Sequence, residues 1–288
     1  MSETTPDPRI TPYREDLASE ALRGIVEAPR YTEGTRVQVT ASHLPLRRAP
    51  RADAPLETET LFGETLTLFD SREGWGWVQL DYDGYVGYLP TEGISAEVVP
   101  PTHRIKALRS YVYPEPNIKT PPLAQLSMNA QVSAKGDAGE NGEFLSLSGG
   151  GFLFAGHAET LAEHEEDFVA VATRFLGTPY FWGGRTSLGL DCSGLVQLAL
   201  QSAGTKAPRD TDLQMAALGE TVGEGAPLSR GDLVFWRGHV GIMTSPETLL
   251  HANAHHMAVA AEPLEQAKAR IAETGEPILA VKRLKKSA

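Results

Sequence analysis

Apolar positions change their period along the chain. Between Tyr13 and Val26, residues Ala18, Ala21, Leu22 and Ile25 fall at i, i+3, i+4 and i+7, which predicts one short amphipathic helix, too short to be a domain. From about Gly34 to His157, short runs rich in Val, Leu, Thr and aromatic residues alternate with Gly, Pro and Asp. That pattern predicts small antiparallel sheets or barrels. Shifted by 67 positions, "WVQLDYDGYVGY" (77–88) lies over "FLSLSGGGFLFA" (144–155), so two β units of roughly 65 residues are expected. The seam falls at "VVPPTHR" (98–104), where paired prolines favour extended chain.

From about Leu161 the helical period takes over. Phe168, Val171, Ala172 and Phe175 form one stripe of a helix predicted to stop at Gly177, with Pro179 just beyond. A second helix is predicted from about Cys192, with Leu195, Val196, Leu198 and Ala199 inward, ending before Gly204. Strand-like runs follow at 232–236, 239–244, 248–253 and 257–263, then a helix over about 264–272 and a strand near 278–282. Two helices followed by a run of antiparallel strands is an α+β order. The expected organisation is an N-terminal arm with a short helix (1–32), a first β unit (33–98), a second, degenerate β unit (99–160) and an α+β domain (161–288).

Composition narrows the chemistry. A formal net charge of −11 over 288 residues argues against a nucleic-acid or anionic-membrane binder, because such proteins gather Lys and Arg against phosphates. No run approaches the ~20 apolar residues of a membrane span. The start, "MSETTPDPRITPYREDLASE", has neither a basic nor an apolar targeting region, so a cytoplasmic location is expected. The chain has one cysteine, Cys192, which can form neither an internal disulfide nor a cysteine-rich zinc site. The thiol is therefore either a packed core group or a reactive one.

Asp191 stands where an N-cap would and Cys192 at the first helical position, where the helix's free N–H groups would lower the thiol pKa. The polar neighbours Asp191 and Ser193, with Gly183, Gly184, Gly189 and Gly194, favour the reactive reading, since a core thiol needs no such backbone room. A cysteine nucleophile needs a base held by a third polar group. Of eight histidines, His43, His103, His157 and His164 lie in the β region or at its junction. His239 opens a strand after the turn at Arg237-Gly238, and His251 lies on the next strand, where antiparallel neighbours can stand side by side. His251 would then accept the Nδ1–H of His239 and fix its tautomer. His251, His255 and His256 could gather a metal, but no acidic residue stands near them in sequence, so neither metal nor cofactor is expected.

Taken in order, "GTPYFWGGRTSLGLDCSGLVQLAL", "LSRGDLVFWRGHVGIM" and "LLHANAHHMAV" resemble the NlpC/P60 family of cysteine peptidases over about 161–285. The resemblance implies a papain-like α+β core that cuts bacterial cell-wall stem peptides between D-glutamate and a diamino acid. It implies Cys192 as nucleophile, His239 as base and His251 as the orienting residue. Tyr180 matches the family tyrosine beside the cysteine, with a part in stabilising the oxyanion. Asp191 and Ser193 match positions that hold the γ-D-glutamyl group. The two β units resemble bacterial SH3 domains, here expected as two small SH3-like barrels, the arrangement of the family's dipeptidyl-peptidase members. In those the first SH3 domain receives the free α-amine of an N-terminal L-Ala, for which Glu64 and Asp83 are candidates. Arg185, Arg209 and Arg237 are candidates for the substrate carboxylates. Murein-derived peptides are the implied partners, with no nucleic acid, membrane or required protein partner, and the implied setting is murein recycling. A thiol amidase, an acyltransferase or a hydrolase of intact wall would use the same Cys and His.

Overall fold

In the computed structural model, which describes residues 6–223 and 225–285, the N-terminal stretch is not helical in the expected way. The ends of the expected arm and α+β domain, 1–5 and 286–288, lie outside the described residues, as does position 224. Tyr13–Arg14 (β1), Leu17–Ser19 (β2) and Tyr31–Thr32 (β3) form a small sheet, with a 3₁₀ turn over Glu20–Leu22. This corrects the helix expected over 13–26. So short a helix is marginal without a face to bury, and Ile25, at the end of its stripe, is 67% exposed.

The chain divides into two compact units, Met1–Leu161 and Ala162–Ala288. In the first, Thr35–Val39 (β4), His43–Arg47 (β5), Leu56–Leu61 (β6), Thr65–Arg72 (β7), Trp75–Leu80 (β8), Val86–Pro90 (β9) and Ile94–Ser95 (β10) make one sheet. Its order is β10-β4-β7-β8-β9-β5-β6. Strand periodicity puts Val37 and Val39, Leu44 and Leu46, and Val78 and Leu80 on the buried face. Burial of each such side chain stabilises by about 1.5–3 kcal/mol.

His103–Ile105 (β11), Arg109–Tyr113 (β12), Ala124–Ser127 (β13), Gln131–Val132 (β14), Ala134–Ala138 (β15), Phe144–Leu147 (β16), Phe152–Phe154 (β17) and Ala158–Thr160 (β18) follow. They form two sheets, β14-β11-β18 and β13-β12-β17-β16-β15. Strand for strand this repeats the first order, with β14 and β15 together taking the place of β7. The chain leaves the ladder at Ser133, and one sheet becomes two. The repeat extends to the turns: Gly63 (φ 80°) and Asn129 (φ 66°) each reverse the chain, their N–H groups donating to Val39 O (2.9 Å) and Ile105 O (2.8 Å). Among the described residues β10 does not pair with β6, nor β18 with β13, so the expected closed barrels are open sheets. The end strands β10 and β18 are two and three residues long and each already pairs along one edge.

The second unit opens with α1 (Phe168–Thr173), capped by Asp167, whose carboxylate accepts the N–H groups of Val169 and Ala170. It ends one turn earlier than expected, and the chain reverses at Gly177 (φ 82°). A short hairpin, Arg185–Thr186 (β19) with Gly189–Leu190 (β20), leads into α2 (Cys192–Ser202). Every residue of α2 is buried, so it is a central helix rather than a surface one with a single apolar stripe. A helix not anticipated from sequence, α3 (Thr211–Ala217), follows it. Glu220–Thr221 (β21), Leu233–Trp236 (β22), His239–Met243 (β23), Thr248–Asn253 (β24), Ala258–Pro263 (β25) and Ala280–Arg283 (β26) form an antiparallel sheet in the order β21-β26-β22-β23-β24-β25. Helix α2 packs against β23 and β24. Helix α4 (Leu264–Ala272) covers Trp236, Met243 and Leu249 with Leu264 and Ala267. Among the described residues no helix is long and apolar enough to cross a membrane.

Gly63 sits where the two β units touch: a Cβ there would lie 2.0 Å from the Gln131 carbonyl oxygen, on a backbone already left-handed. Gly63→Ala is expected to destabilise the first unit by more than about 1 kcal/mol, measured by thermal or urea unfolding.

Candidate active site

Cys192 opens α2 and Asp191 is its N-cap. Asp191 is 8% exposed; its Oδ1 accepts the Gly194 N–H (2.7 Å) and its Oδ2 the Gly183 N–H (2.9 Å). One carboxylate thus ties the helix's first turn to the glycine loop ahead of it. Arg209, also buried, donates to both carboxylate oxygens (3.0 and 2.6 Å) and to Ser193 Oγ (2.8 Å). The glycines make the approach possible, since a Cβ on Gly194 would meet Gly184 O at 2.4 Å.

The thiol is 6% exposed. Its Sγ lies 3.9 Å from Thr211 Oγ1 and 3.9 Å from the Gly238 carbonyl oxygen, and the Val240 N–H also bonds to it. Cys192 therefore rests against backbone on both sides of His239. Burial pushes the thiol up to about 11 and the Asp191 charge adds to the push, with Val240, Thr211 and Arg209 opposing them. This corrects the expected thiolate: desolvation outweighs the helix terminus. Burial, helped by His251 and Arg270, likewise drives His239 down to about 3 against the pull of Glu262. At neutral pH the pair is thiol and neutral imidazole.

The pairing of Ile242 with Leu250 and Met243 with Leu249 puts Gly241 across from His251, where a Cβ would meet Leu249 Cδ1 at 2.6 Å and His251 Cβ at 3.2 Å. His239, two residues back, shares that face and reaches His251 diagonally. The contact is His239 Nε2 to His251 Nδ1, 2.8 Å, and not through Nδ1 of His239 as expected. Nε2 is the far end of the imidazole, so it makes the diagonal reach while Nδ1 stays near the strand.

His251, 1% exposed, uses its other nitrogen as well: Nε2 lies 2.8 Å from Glu262 Oε1. Arg270 on α4 donates to both oxygens of Glu262 (2.7 and 2.5 Å). Those Arg270 bonds, and the one to His251, hold the Glu262 carboxyl at about 2 although burial opposes them. The expectation that no acid stands near His251 is thus corrected, because β24–β25 pairing sets Leu249 opposite Glu262 and brings a residue distant in sequence onto the same face. Ligand atoms of His251, His256 and Glu262 lie within 4.8 Å of one another and could gather a cation. Both ring nitrogens of His251 are already bonded, however, and His256 Nδ1 lies 3.0 Å from Asn253 Oδ1, so the group is knit as a hydrogen-bond relay.

The structure brings together Cys192, His239, His251, Tyr180, Asp191 and Ser193. Tyr180 is half-buried, and burial, with its neighbours Cys192 and Asp191 adding to the push, raises its hydroxyl well above the usual value, so it remains a hydrogen-bond donor. The arginines divide. Arg185 is fully buried and donates to Gln201 Oε1 (3.1 Å), and Arg209 is engaged by Asp191, which corrects their expected availability as free cations: each is enclosed by the protein's own acceptors. Arg237 is exposed and faces Glu276 at 3.1 Å. Glu64 and Asp83 lie in the first unit, where Glu64 is buried and accepts the Leu61 N–H (2.9 Å) and Asp83 accepts the Tyr85 N–H (3.0 Å). Sequence reasoning missed Glu262, Arg270 and Thr211. The signal for Glu262 was present: one charge inside the otherwise apolar "AVAAEP".

A thiol at the start of a buried central helix, set beside a histidine that a second histidine holds on an antiparallel sheet, is the architecture of a papain-like cysteine hydrolase. Residues 177–272 match the NlpC/P60 family and residues 46–94 the bacterial dipeptidyl-peptidase SH3 domain, so the chain carries an NlpC/P60 peptidase domain preceded by a bacterial SH3 domain. It is similar to the gamma-D-glutamyl-L-lysine dipeptidyl-peptidase of Bacillus subtilis, 28% identical over 228 residues that cover 69% of this chain and 73% of the relative. It is also similar to dipeptidyl-peptidase 6 of Lysinibacillus sphaericus, 34% identical over 104 residues covering 33% of this chain and 35% of that one. The crystal structure of an NlpC/P60 family protein from Bacillus cereus superposes with a TM-score of 0.72 at 19% identity, covering 86% of this chain and 99% of the other, and shows the shared fold.

Arg209→Leu leaves Asp191 buried and unpaired, and is expected to cost about 3–5 kcal/mol of stability in urea unfolding. Alkylation of Cys192 by iodoacetamide, which reads the thiolate, is expected to be slow at pH 7 and to rise steeply towards pH 10. A plateau already below pH 7 would instead mean a preformed thiolate–imidazolium pair.

Proposed function

We propose that the protein is a cysteine peptidase that hydrolyses the γ-D-glutamyl–diamino acid bond of murein peptides with a free N-terminal L-Ala, releasing L-Ala-D-Glu. The observation that carries this is the bonded series Glu262–His251–His239 beside a buried helix-start thiol, in a domain whose relatives are named for that cleavage. Cys192 Sγ attacks the γ-carbonyl carbon of D-Glu as its proton passes to His239 Nδ1. The Cys192 N–H and the Tyr180 hydroxyl receive the oxyanion. The imidazolium returns its proton to the departing amine, leaving a thioester. Water, deprotonated by His239, then releases the carboxylate and restores the thiol. Asp191 and Ser193 shape the γ-D-glutamyl subsite from inside the knot with Arg209, and Arg237, exposed but already paired with Glu276, would exchange that carboxylate for the substrate's.

The boundaries 1–32, 33–98, 99–160 and 161–288 remain the organisation proposed for this activity. The repeated strand order supports reading the second β unit as a degenerate SH3 copy serving as a spacer. The first SH3 unit would supply the acid for the substrate's α-amine, with half-buried Asp83 more open than Glu64. A free L-Ala amine exists only after an amidase has cut the stem from its sugar. That chemistry supports a role in cytoplasmic recycling of small peptides rather than attack on intact wall.

Cys192→Ala and His239→Ala are each expected to abolish release of L-Ala-D-Glu from L-Ala-γ-D-Glu-diaminopimelate, read by mass spectrometry, in folded protein. Full activity in either variant would sink the assignment. N-acetylation of the tripeptide is expected to lower kcat/KM at least about 100-fold, in line with depriving the site's acid of its charged partner; equal rates would remove the amine-binding role.

A further inference from the structure

The relay on the β23–β25 face continues past the two histidines into a carboxylate and an arginine whose part in the chemistry has yet to be assigned. His239, His251 and Glu262 share one face of the sheet, and Arg270 closes over the last of them from α4. Each successive link between the three sheet residues measures 2.8 Å. Glu262 is 7% exposed, and a carboxylate this enclosed persists only with partners.

Proton bookkeeping along the series leaves one arrangement. An ionised carboxylate carries no hydrogen, so the proton between Glu262 and His251 sits on His251 Nε2. His251 is held below its ordinary value chiefly by burial, with Glu262 opposing and Arg270 and His256 assisting, so the ring is neutral and its Nδ1 is a lone pair. A lone pair there obliges His239 Nε2 to be the donor in the next link. His239, neutral in turn, is left with an unprotonated Nδ1. We infer that Glu262, clamped by Arg270, is a positioning residue that fixes the tautomers of His251 and His239 in series and so leaves Nδ1 of His239 as its basic nitrogen.

This rests on the reading of His239 as the base for Cys192, but its two consequences can be read separately. Arg270 keeps Glu262 ionised and stops it from rotating away. Both Glu262 oxygens are held by Arg270, so its acceptor points at His251 in only one way. An amide at this position could present either its oxygen or its NH₂ to His251. It would then admit the tautomer in which His239 Nδ1 carries the proton and cannot accept one.

The test uses the full-length protein labelled with ¹⁵N-histidine, with ring nitrogen shifts recorded at neutral pH. In the wild type, His239 and His251 are both expected as Nε2–H tautomers; a proton resting on Nδ1 of either ring overturns the inference, whether or not any peptide is cleaved. In Glu262→Gln the Nε2–H population is expected to drop at both rings, and kcat on the tripeptide to fall about 100-fold with KM within about twofold, as for a triad whose orienting carboxylate becomes an amide. Unchanged tautomers or unchanged kcat in a folded Glu262→Gln protein would also overturn it. Arg270→Gln, a change at a partly exposed side chain, provides a second variant in which Glu262 is released but kept, and a smaller loss of kcat is expected. If the wild type shows the expected tautomers yet does not cleave the tripeptide, the substrate assignment fails and the positioning role stands.

Discussion

A carboxylate taken out of water must be given a cation and N–H donors, or it will not stay charged. Two such carboxylates flank the site in the catalytic unit. Asp191 is buried at the start of α2 with Arg209, and Glu262 is buried under α4 with Arg270. The first pair fixes the glycine loop against the helix that carries the thiol; the second fixes the end of the histidine series. Cys192 and His239, the proposed nucleophile and base, are each located by a carboxylate–arginine contact.

Burial has a second consequence for the chemistry. It disfavours both members of a thiolate–imidazolium pair, pushing the Cys192 thiol up and the His239 imidazole down. The nucleophile's power then depends on having an acceptor lone pair in the right place. That makes the tautomer of His239, and the chain of acceptors behind it, a determinant of rate. Gly241 contributes by absence: a Cβ there would crowd Leu249 and the Cβ of His251, the residue that His239 meets at 2.8 Å.

Away from the candidate active site, the two β units show one topology under different local constraints. The strand order is the same in both, yet the second breaks where β7 would run on, giving β14 and β15. In the repeated hairpin, Gly149 to Gly151 replace the Tyr82 to Gly84 turn of the first unit, removing side chains from that tip. What persists is the alternation that buries alternate residues and the left-handed turn at Gly63 or Asn129.

Much of this molecule was legible in one dimension because period and capping are local. The helix beginning at Cys192 and the strands opening at His239 and containing His251 follow from local spacings, and the β repeat from a shift of 67 positions. The arm at 13–26 misled because a helical spacing without a face to bury does not fold as a helix. Two partnerships were not legible: Glu262 meets His251 through the pairing of β24 with β25, and Arg209 reaches Asp191 from the loop ahead of α3, eighteen residues on. The sequence alone determined which side chains could act as nucleophile and base. Only the tertiary structure decided which nitrogen of His239 meets His251 and that burial pushes the thiol up rather than down, because both depend on enclosure and on partners that the fold, not the chain order, makes neighbours.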